Sequence, residues 1–317
     1  MNRIVAGVDL GGTKCLGVLA GLDGQPFTRH RIVLAEVGGA EAALSTMCAW
    51  LADHAQRSGQ ELVGAGIGVP AVIDPDSGRA VRGPNTGWDG FAVRSLVTAL
   101  SCPVALDNDV NLAAYGEHAV GAARGHRDFA VVAVGTGLGG AVVSGGRLVR
   151  GASFAAGEFA LLPVPASALV AGDLESVVSG VGIARAAAAY LADHPEAVAT
   201  LGTAPDARRV FAAALAGDPH GEAVMAPVLE GVAICIVALA AVADPDLVVF
   251  DGSVGGALAP FLSRIEALLG DRLTTVPTLT CSALRPTATV VGAVQQALAL
   301  APGSASNHSK ENTHVEG

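Results

Sequence analysis

The hydrophobic pattern of the chain alternates short apolar runs with longer stretches of helical periodicity. The short runs predict buried strands over residues 4–9, 15–20, 62–70, 104–106 and 247–250. The periodic stretches predict helices over residues 39–57, 110–120, 174–193, 205–216 and 221–243. Strands and helices in this order indicate an α/β fold, with mixed sheets flanked by helices and ligands bound at the carboxyl ends of strands.

Two pairs of apolar runs are joined by glycine-rich turns of one design, which read Asp9-Leu-Gly-Gly-Thr-Lys14 and Gly135-Thr-Gly-Leu-Gly-Gly140. Glycine adopts positive φ and lets successive backbone N–H groups converge on phosphate oxygens. An ordinary tight hairpin explains either turn alone, but the recurrence of Gly-Thr in both favours a nucleotide held between two related domains. The residues predicted to bind this nucleotide are Asp9, Gly11, Gly12, Thr13, Lys14, Gly135, Thr136, Gly137 and Gly139. Lys14 fits equally well as a solvated lysine at a strand end.

Composition narrows the class of protein. A chain of 317 residues is longer than a domain with a single hydrophobic core usually is, which predicts two domains. Hydrophobic residues make up 51% of the chain but aromatic residues only 4%, so Ala, Val and Leu must fill sheets that are buried on both faces. The formal charge of −10 argues against nucleic acid as a partner.

Cysteine usage and hydropathy bear on location. The five cysteines are scattered and form no Cys-x-x-Cys pair, which indicates reduced thiols in a cytoplasmic protein. The longest apolar stretch, residues 231–243, is too short to span a bilayer, so we expect a buried helix and no membrane partner. We expect no signal peptide before the first strand, and we expect residues 303–317 to be disordered.

Polar residues near predicted strand ends carry the candidate chemistry. Asp109 follows the strand at 104–106, where a carboxylate acts either as a plain helix N-cap or as a general base toward a hydroxyl. Its neighbour Asn108 offers the donor and acceptor pair that suits a polyol. Asn85 lies in the polar turn at residues 83–88, where it fits equally well as a simple turn former, and the carboxylates of Glu158 and Glu175 lie in segments that are otherwise mostly apolar. Acceptors with no basic residue directly beside them in the sequence favour a neutral ligand rich in hydroxyl groups.

Six segments carry a resemblance to a known family. They are Asp9-Leu-Gly-Gly-Thr-Lys14, Gly66-Ile-Gly-Val-Pro70, Asn108-Asp-Val-Asn-Leu-Ala-Ala-Tyr-Gly-Glu117, Gly135-Thr-Gly-Leu-Gly-Gly140, Gly151-Ala-Ser-Phe-Ala-Ala-Gly-Glu158 and Asp244-Pro-Asp-Leu-Val-Val-Phe-Asp-Gly-Ser253. From about residue 4 to residue 300 the chain resembles the ROK family of sugar kinases. The resemblance implies an actin-like, ribonuclease-H-like α/β fold of two domains, with mixed β-sheets flanked by helices and a central cleft. The smaller N-terminal domain would comprise residues 1–108 with 287–302, and the larger one residues 109–286.

The same resemblance implies an activity. The protein would phosphorylate a primary hydroxyl of a hexose with ATP and Mg²⁺, as a glucokinase does, and would form a homodimer. Asp109 would be the catalytic base, the two hairpins would hold the ATP phosphates, and Asp9 would contact magnesium-bound water. The residues implied at the sugar hydroxyls are Asn85, Asn108, Asp109, Glu158 and Glu175, and those implied near the adenosine are Gly252 and Ser253.

Two alternatives stay open. A kinase for a C7-cyclitol (a carbasugar) or for an amino sugar would use the same residues. A non-catalytic, sugar-responsive regulator is disfavoured, because the first hairpin begins by residue 9 and no helix-turn-helix precedes it.

Two departures from the family pattern lie on the sugar side. After the Gly-Glu pair, many ROK members have a histidine that binds both sugar and a structural zinc, followed by a Cys-x-Cys-Gly-x-x-Gly-Cys loop. Here Leu161 stands at the histidine position, and no cysteine lies between Cys102 and Cys235, so we expect no zinc. Ala71 replaces the glycine that usually follows the proline of the Gly-x-Pro-Gly turn. The resemblance therefore does not fix glucose as the substrate.

Overall fold

The computed structural model describes residues 2–83, 86–164 and 172–302. Its strands are β1 (Asn2–Leu10), β2 (Lys14–Gly21), β3 (Pro26–Val33), β4 (Gln60–Val69), β5 (Val72–Asp74), β6 (Arg79–Arg82), β7 (Val104–Asn108), β8 (Phe129–Val134), β9 (Leu138–Ser144), β10 (Arg147–Val149), β11 (Pro163–Val164), β12 (Gly172–Asp173), β13 (Leu247–Asp251) and β14 (Thr278–Cys281). Its helices are α1 (Leu34–Val37), α2 (Ala40–Arg57), α3 (Asp109–Val120), α4 (Leu174–Val178), α5 (Gly180–Asp193), α6 (Val198–Leu201), α7 (Ala207–Leu215), α8 (Pro219–Ala243), α9 (Gly252–Ala257), α10 (Leu262–Gly270) and α11 (Ala288–Leu300). The expected disorder of residues 303–317 falls outside the described residues.

Two compact units make up the chain. Unit 1 is Met1–Gly116 together with the chain from Thr289 onward, and unit 2 is Glu117–Ala288. The division expected from the sequence falls at residue 108, at the start of α3, whereas the first two turns of α3 belong to unit 1. The reason is that Leu112 packs closely on Gly68 and Gly292, which have no side chains to hold it away.

Unit 1 is built on a five-stranded sheet in the order β3-β2-β1-β4-β7. The first three strands form an antiparallel meander, and β4 and β7 run parallel to β1. Successive side chains of β1 point to opposite faces, so Ile4 and Ala6 enter the core that contains Leu44 of α2, while Val5 packs with Val294 of α11. Both faces of the sheet are therefore covered, as the composition predicts.

Glycines in β1 and β4 let α11 approach the sheet of unit 1. A Cβ atom at Gly7 would lie 2.9 Å from the carbonyl oxygen of Val290, and one at Gly66 would overlap the carbonyl of Ala293. The hydrophobic pattern does not predict α11, because the helix is apolar on nearly all sides. It does not predict the edge strand β3 either, because the half-exposed residues of this strand are mostly polar.

Unit 2 repeats the strand order of unit 1, as β10-β9-β8-β13-β14. Strands β8, β9 and β10 are antiparallel neighbours, and β13 and β14 run parallel to β8. The helices of this unit supply a single large core with residues such as Leu174, Ile183, Phe211, Val228 and Ile265. The two units therefore share one plan, in which a glycine hairpin joins the central strand to its antiparallel neighbour.

The longest helix, α8, begins at Pro219 because Asp218 caps it, accepting from the N–H groups of His220 and Gly221. By length and composition α8 could cross a membrane, but just over half of its most apolar window is buried inside the protein. The apolar stretch at residues 231–243, which the sequence marks as too short to span a bilayer, is only the second half of this helix. The observed burial is that of a core helix, as we expected.

The helix predicted over residues 174–193 is interrupted at Ser179. Ser179 has an extended backbone with ψ 158°, and its Oγ accepts a hydrogen bond of 3.1 Å from Gly182 N–H, which caps α5. A pattern of buried apolar residues alone does not reveal such a break. The break matters because it carries residues 175–180 past the second glycine hairpin.

Candidate active site

The first glycine hairpin joins β1 to β2 through Gly11, Gly12 and Thr13. Gly11 N–H donates to the carbonyl of Lys14 at 2.9 Å, and Leu34 N–H donates to the carbonyl of Thr13 at 3.0 Å. A Cβ atom at Gly12 would meet nothing within 4 Å. The turn is thus fixed by its own backbone and opens onto free space at Gly12.

The second hairpin joins β8 to β9 through Gly135, Thr136 and Gly137. Gly135 N–H donates to the carbonyl of Gly137 at 2.9 Å. A Cβ atom at Gly135 would also meet nothing within 4 Å, but one at Gly137 would lie 2.7 Å from Oε2 of Glu175. The second turn is therefore open at Gly135 and covered at Gly137.

The positive φ that we expected of the glycines in these turns is wrong. The φ angles of Gly11, Gly12, Gly135 and Gly137 lie outside the left-handed region. Instead, the glycines matter because they have no side chain. The space at Gly12 and Gly135 leaves the backbone accessible, and the space at Gly137 is occupied by the carboxylate of Glu175. Gly140, further along β9, is covered by the ring of Phe159.

The residues expected near the adenosine follow β13. Gly252 has φ 80°, and a Cβ atom there would overlap the carbonyl of Val134, which directly precedes the second turn. Ser253 is exposed. Burial raises the pKa of neighbouring Asp251, and the N–H of Gly252 and the guanidinium of Arg285 partly oppose that rise. The structure thus brings Gly252 and the second hairpin together at the carboxyl ends of β8 and β13.

Asp109 is the first residue of α3, at the carboxyl end of β7. The N-cap of α3 is Asn108, whose Oδ1 accepts from Val110 N–H at 2.8 Å and from Asn111 N–H at 3.3 Å. Asp109 Oδ1 lies 3.0 Å from Val110 N. The capping role that the sequence left open for Asp109 therefore belongs mainly to Asn108.

Asn108 also holds the turn after β4. Its Nδ2 donates to the carbonyl of Ala71 at 3.3 Å, so the protein itself uses Oδ1 and one of the two amide N–H groups. Ala71 is buried, and its Cβ lies 3.4 Å from the Cβ position of Gly83. Asn85, two residues further on, lies outside the described residues.

A buried pair that we did not predict from the sequence fixes the start of α3. Asp107 Oδ1 accepts from Asn108 N–H at 2.8 Å and from Asn111 Nδ2 at 2.9 Å, and both Asp107 and Asn111 are buried. Thr289 Oγ1 donates to the carbonyl of Asp109 at 3.2 Å. The string Asp-Asn-Asp-Val-Asn contained this signal, because Asp and Asn side chains bond readily to nearby backbone and side-chain groups where a strand gives way to a helix.

Asp9 lies at the same sheet edge as the start of α3. The strand register aligns Asp9 with Gly68 of β4, and Gly68 with Asp107 of β7. Neighbouring strands are about 4.8 Å apart, so the Cα atoms of Asp9 and Asp107 are separated by about 10 Å. Unit 1 therefore brings together Asp9, the first hairpin, Asn108 and Asp109.

In unit 2, Glu175 bonds to the second hairpin, and the backbone beside Glu158 packs against β9. Gly157 has φ 93°, and a Cβ there would overlap the carbonyl of Gly140, so the segment that carries Glu158 lies against β9. Glu175 Oε2 accepts from Leu138 N–H at 2.8 Å. The sequence did not predict that the second carboxylate would contact the hairpin itself.

The segment that would hold zinc in the family pattern has a different construction here. Leu161 ends a 3-10 turn and is 55% exposed, β11 pairs with β12, and Asp173 caps α4 by accepting from Ser176 N–H at 2.9 Å. Across the described residues, no three His, Cys, Asp or Glu side chains are grouped so that they could hold a metal ion. The residues do not fit zinc, and its absence remains a prediction.

Comparison with known proteins gives consistent matches. The ROK family model matches residues 5–301. The chain is 31% identical over 288 residues to a glucokinase of Halalkalibacterium halodurans (84% of this chain, 86% of that protein), and 31% identical over 278 residues to an N-acetylmannosamine kinase of Shigella flexneri (84% and 88%). In fold it is similar to a ROK family glucokinase from Streptomyces griseus in complex with glucose and AMPPNP, with a TM-score of 0.77 and 27% identity over 93% of this chain and 99% of that one.

Proposed function

This chain belongs to the ROK family and is an ATP-dependent sugar kinase, and we propose that it transfers the terminal phosphoryl group of ATP to a primary hydroxyl of a hexose. The observation that carries the proposal is the start of α3. There Asn108 is the N-cap that accepts from the N–H groups of Val110 and Asn111, and Asp109 is the first residue of the helix. Asp109 follows the carboxyl end of a parallel strand, the usual place of ligands in such sheets.

The two hairpins fit the phosphates of ATP. At Gly12 and Gly135 a Cβ atom would point into free space, so an anion can approach the backbone there. The hairpin residues, with Lys14 of β2 and Gly139 of β9, would hold the phosphates, and Gly252 and Ser253 would lie by the adenosine. When bound, Mg²⁺ neutralises charge on the transferred group. Asp9 would contact water in its shell.

Asp109 would accept the proton of the attacking hydroxyl as general base. Its main-chain position is fixed by the bonds of Asp107 and Thr289, so the carboxylate starts from a defined place. Fixed geometry of this kind is a major source of rate in phosphoryl transfer, where little covalent work is left to the protein.

Sugar hydroxyls would contact Asn85, Asn108, Glu158 and Glu175. Ionised carboxylates only accept hydrogen bonds, and hydroxyl groups are the donors that suit them. Glucose is the first candidate, because a glucokinase is among the relatives. An amino sugar is the second, because the Shigella flexneri relative is an N-acetylmannosamine kinase. Because Ala71 and Leu161 depart from the family pattern on the sugar side, the resemblance is compatible with either substrate.

Further properties belong to the same proposal. We propose a homodimer in the cytoplasm, with neither nucleic acid nor membrane as partner. The formal charge of −10 supports the exclusion of nucleic acid, and five free thiols suit a reducing compartment. Light scattering on purified protein would show twice the mass of the chain.

A substrate panel tests the proposal. Purified protein is incubated with Mg-ATP and, in turn, glucose, other hexoses, N-acetylmannosamine, other amino sugars and C7-cyclitols, and the phosphorylated position is read by NMR. We expect one hexose or amino sugar to be phosphorylated at its primary hydroxyl. If only a cyclitol is phosphorylated, the hexose assignment is wrong and the cyclitol is the substrate. If none of the acceptors yields a phosphorylated product, the proposed activity is refuted.

A further inference from the structure

The carboxylate of Glu175 occupies the place of a side chain on the second hairpin. Its Oε2 lies 2.7 Å from the position of a Cβ atom at Gly137, and it accepts from Leu138 N–H at 2.8 Å. The position of Glu175 is fixed by packing, because its helix neighbours Leu174 and Val178 are buried in the core of unit 2. The hairpin is therefore held from outside by one side chain.

The backbone after Glu175 contacts the other end of the same turn. Gly180 N–H donates to the carbonyl of Gly135 at 2.8 Å, and Ser179 N–H donates to the carbonyl of Glu175 at 3.0 Å. Ser179 is buried and caps α5. Residues 175–180 thus contact the turn at Leu138 and at Gly135, so the shape of the turn depends on the position of this segment.

A carboxylate can serve two partners at once. Each of its two oxygens accepts hydrogen bonds, and the bond from Leu138 engages Oε2. Oε1 can still accept from a hydroxyl of the sugar. A hydroxyl bound there would fix the rotation of the carboxylate and, through Oε2, the N–H of Leu138 and the adjoining turn.

We propose that Glu175 is a positioning residue that couples the two substrates: the sugar that binds its carboxylate orders the second hairpin for the ATP phosphates. This rests on the proposed function and adds to it a linkage between the binding sites within unit 2. Linkage is reciprocal, so the sugar raises ATP affinity by the same factor by which ATP raises sugar affinity. We expect a factor on the order of tenfold.

Calorimetry on the full chain measures this factor. AMPPNP with Mg²⁺ is titrated into the protein alone and into protein saturated with glucose, or with the sugar that the panel shows to be phosphorylated. Glu175→Gln keeps an oxygen for Leu138 N–H but replaces the second oxygen with a donor. We expect its AMPPNP affinity without sugar to stay within about threefold of wild type, because one neutral hydrogen bond is retained. The ratio with and without sugar should fall to about one.

Two glycine variants keep the test independent of that single change. Gly137→Ala places a Cβ against the Glu175 carboxylate and should also lower the ratio. Gly270→Ala in α10 adds a Cβ that meets nothing within 4 Å and should keep the wild-type ratio. A wild-type ratio in Glu175→Gln would overturn the coupling. A ratio of one in wild-type protein that binds both ligands and phosphorylates the sugar would also overturn the coupling, but it would leave the proposed kinase function intact. Wild-type protein that binds neither ligand would overturn both.

Discussion

The two units share a sheet of the same strand order and a glycine hairpin in the same place, but the contacts around the two hairpins differ. In unit 1 the turn opens at Gly12, and the carbonyl of Thr13 accepts from the N–H of Leu34 at the start of α1. In unit 2 the turn is covered at Gly137 by Glu175 and bonded at Gly135 by Gly180. The same sheet topology thus carries two glycine hairpins whose surroundings differ.

The proposed catalytic groups divide along the same line. Unit 1 carries Asp109, which we propose as the base, and its rigid support from Asp107, Asn111 and Thr289. Unit 2 carries Glu175, which bonds to the second hairpin, and Glu158, whose neighbour Gly157 packs against β9. We infer that unit 1 supplies a fixed geometry, whereas unit 2 supplies a hairpin that responds to the acceptor. Substitutions in each unit separate these duties.

Asp109→Asn should have the largest effect. The substitution removes the base but keeps the size of the side chain, and Asn108 still caps α3, so turnover should fall on the order of 10²-fold or more with an unchanged melting temperature. Steady-state kinetics measures the loss. Asp218→Asn, which retains a good N-cap on α8, serves as the control. Turnover of Asp109→Asn within a few-fold of wild type would mean that another group is the base.

Alanine at Gly12 and at Gly137 compares the two hairpins directly. At Gly12 the new methyl group enters free space on the phosphate side and should weaken ATP analogue binding about tenfold, with sugar affinity unchanged. At Gly137 it displaces the Glu175 carboxylate, so both affinities should fall. Calorimetry with each ligand alone reads both values. If both variants lose the same affinity for the ATP analogue and neither loses affinity for the sugar, the two hairpins are equivalent.

Asp173→Ala weakens the segment that covers the second hairpin. Asp173 accepts from Ser176 N–H at the start of α4, and removal of an N-cap costs about 1 kcal/mol. Urea unfolding should show a loss of that size, and Asp173→Asn, which can still cap, should not. If both variants unfold like wild type, the cap does not hold the segment.

Zinc removal should have no effect. A structural zinc contributes folding free energy of roughly 10 kcal/mol or more, so its loss would be evident. We expect no stoichiometric zinc by elemental analysis, an unchanged melting temperature in a zinc-selective chelator, and activity that Mg²⁺ alone restores. One tightly bound zinc per chain, with loss of folding on removal, would contradict the predicted absence.

Much of the framework was predictable from the sequence. The glycine hairpins and the strand before Asp109 follow from local patterns, because buried strands and tight turns leave short-range signatures. The pattern missed the edge strand β3 and helix α11, since an exposed strand is polar and a helix that is apolar on nearly all sides shows no amphipathic stripe.

The contacts of the site were less predictable. No spacing rule places Glu175 against Gly137, because the contact arises only when β9 and α4 pack together. The capping role of Asn108 and the break at Ser179 depend on backbone geometry that composition does not encode. The positive φ inferred for the hairpin glycines failed for the same reason: Gly-rich turns also serve to leave space.

The release of ADP from Mg-ATP by the wild-type protein, with and without the sugar found in the panel, tests the central claim most directly. If phosphoryl transfer is the function and unit 2 responds to the acceptor, ADP forms in step with sugar phosphate and is nearly absent without sugar. ADP formation at the same rate in both conditions, or no turnover although both ligands bind, would contradict the account.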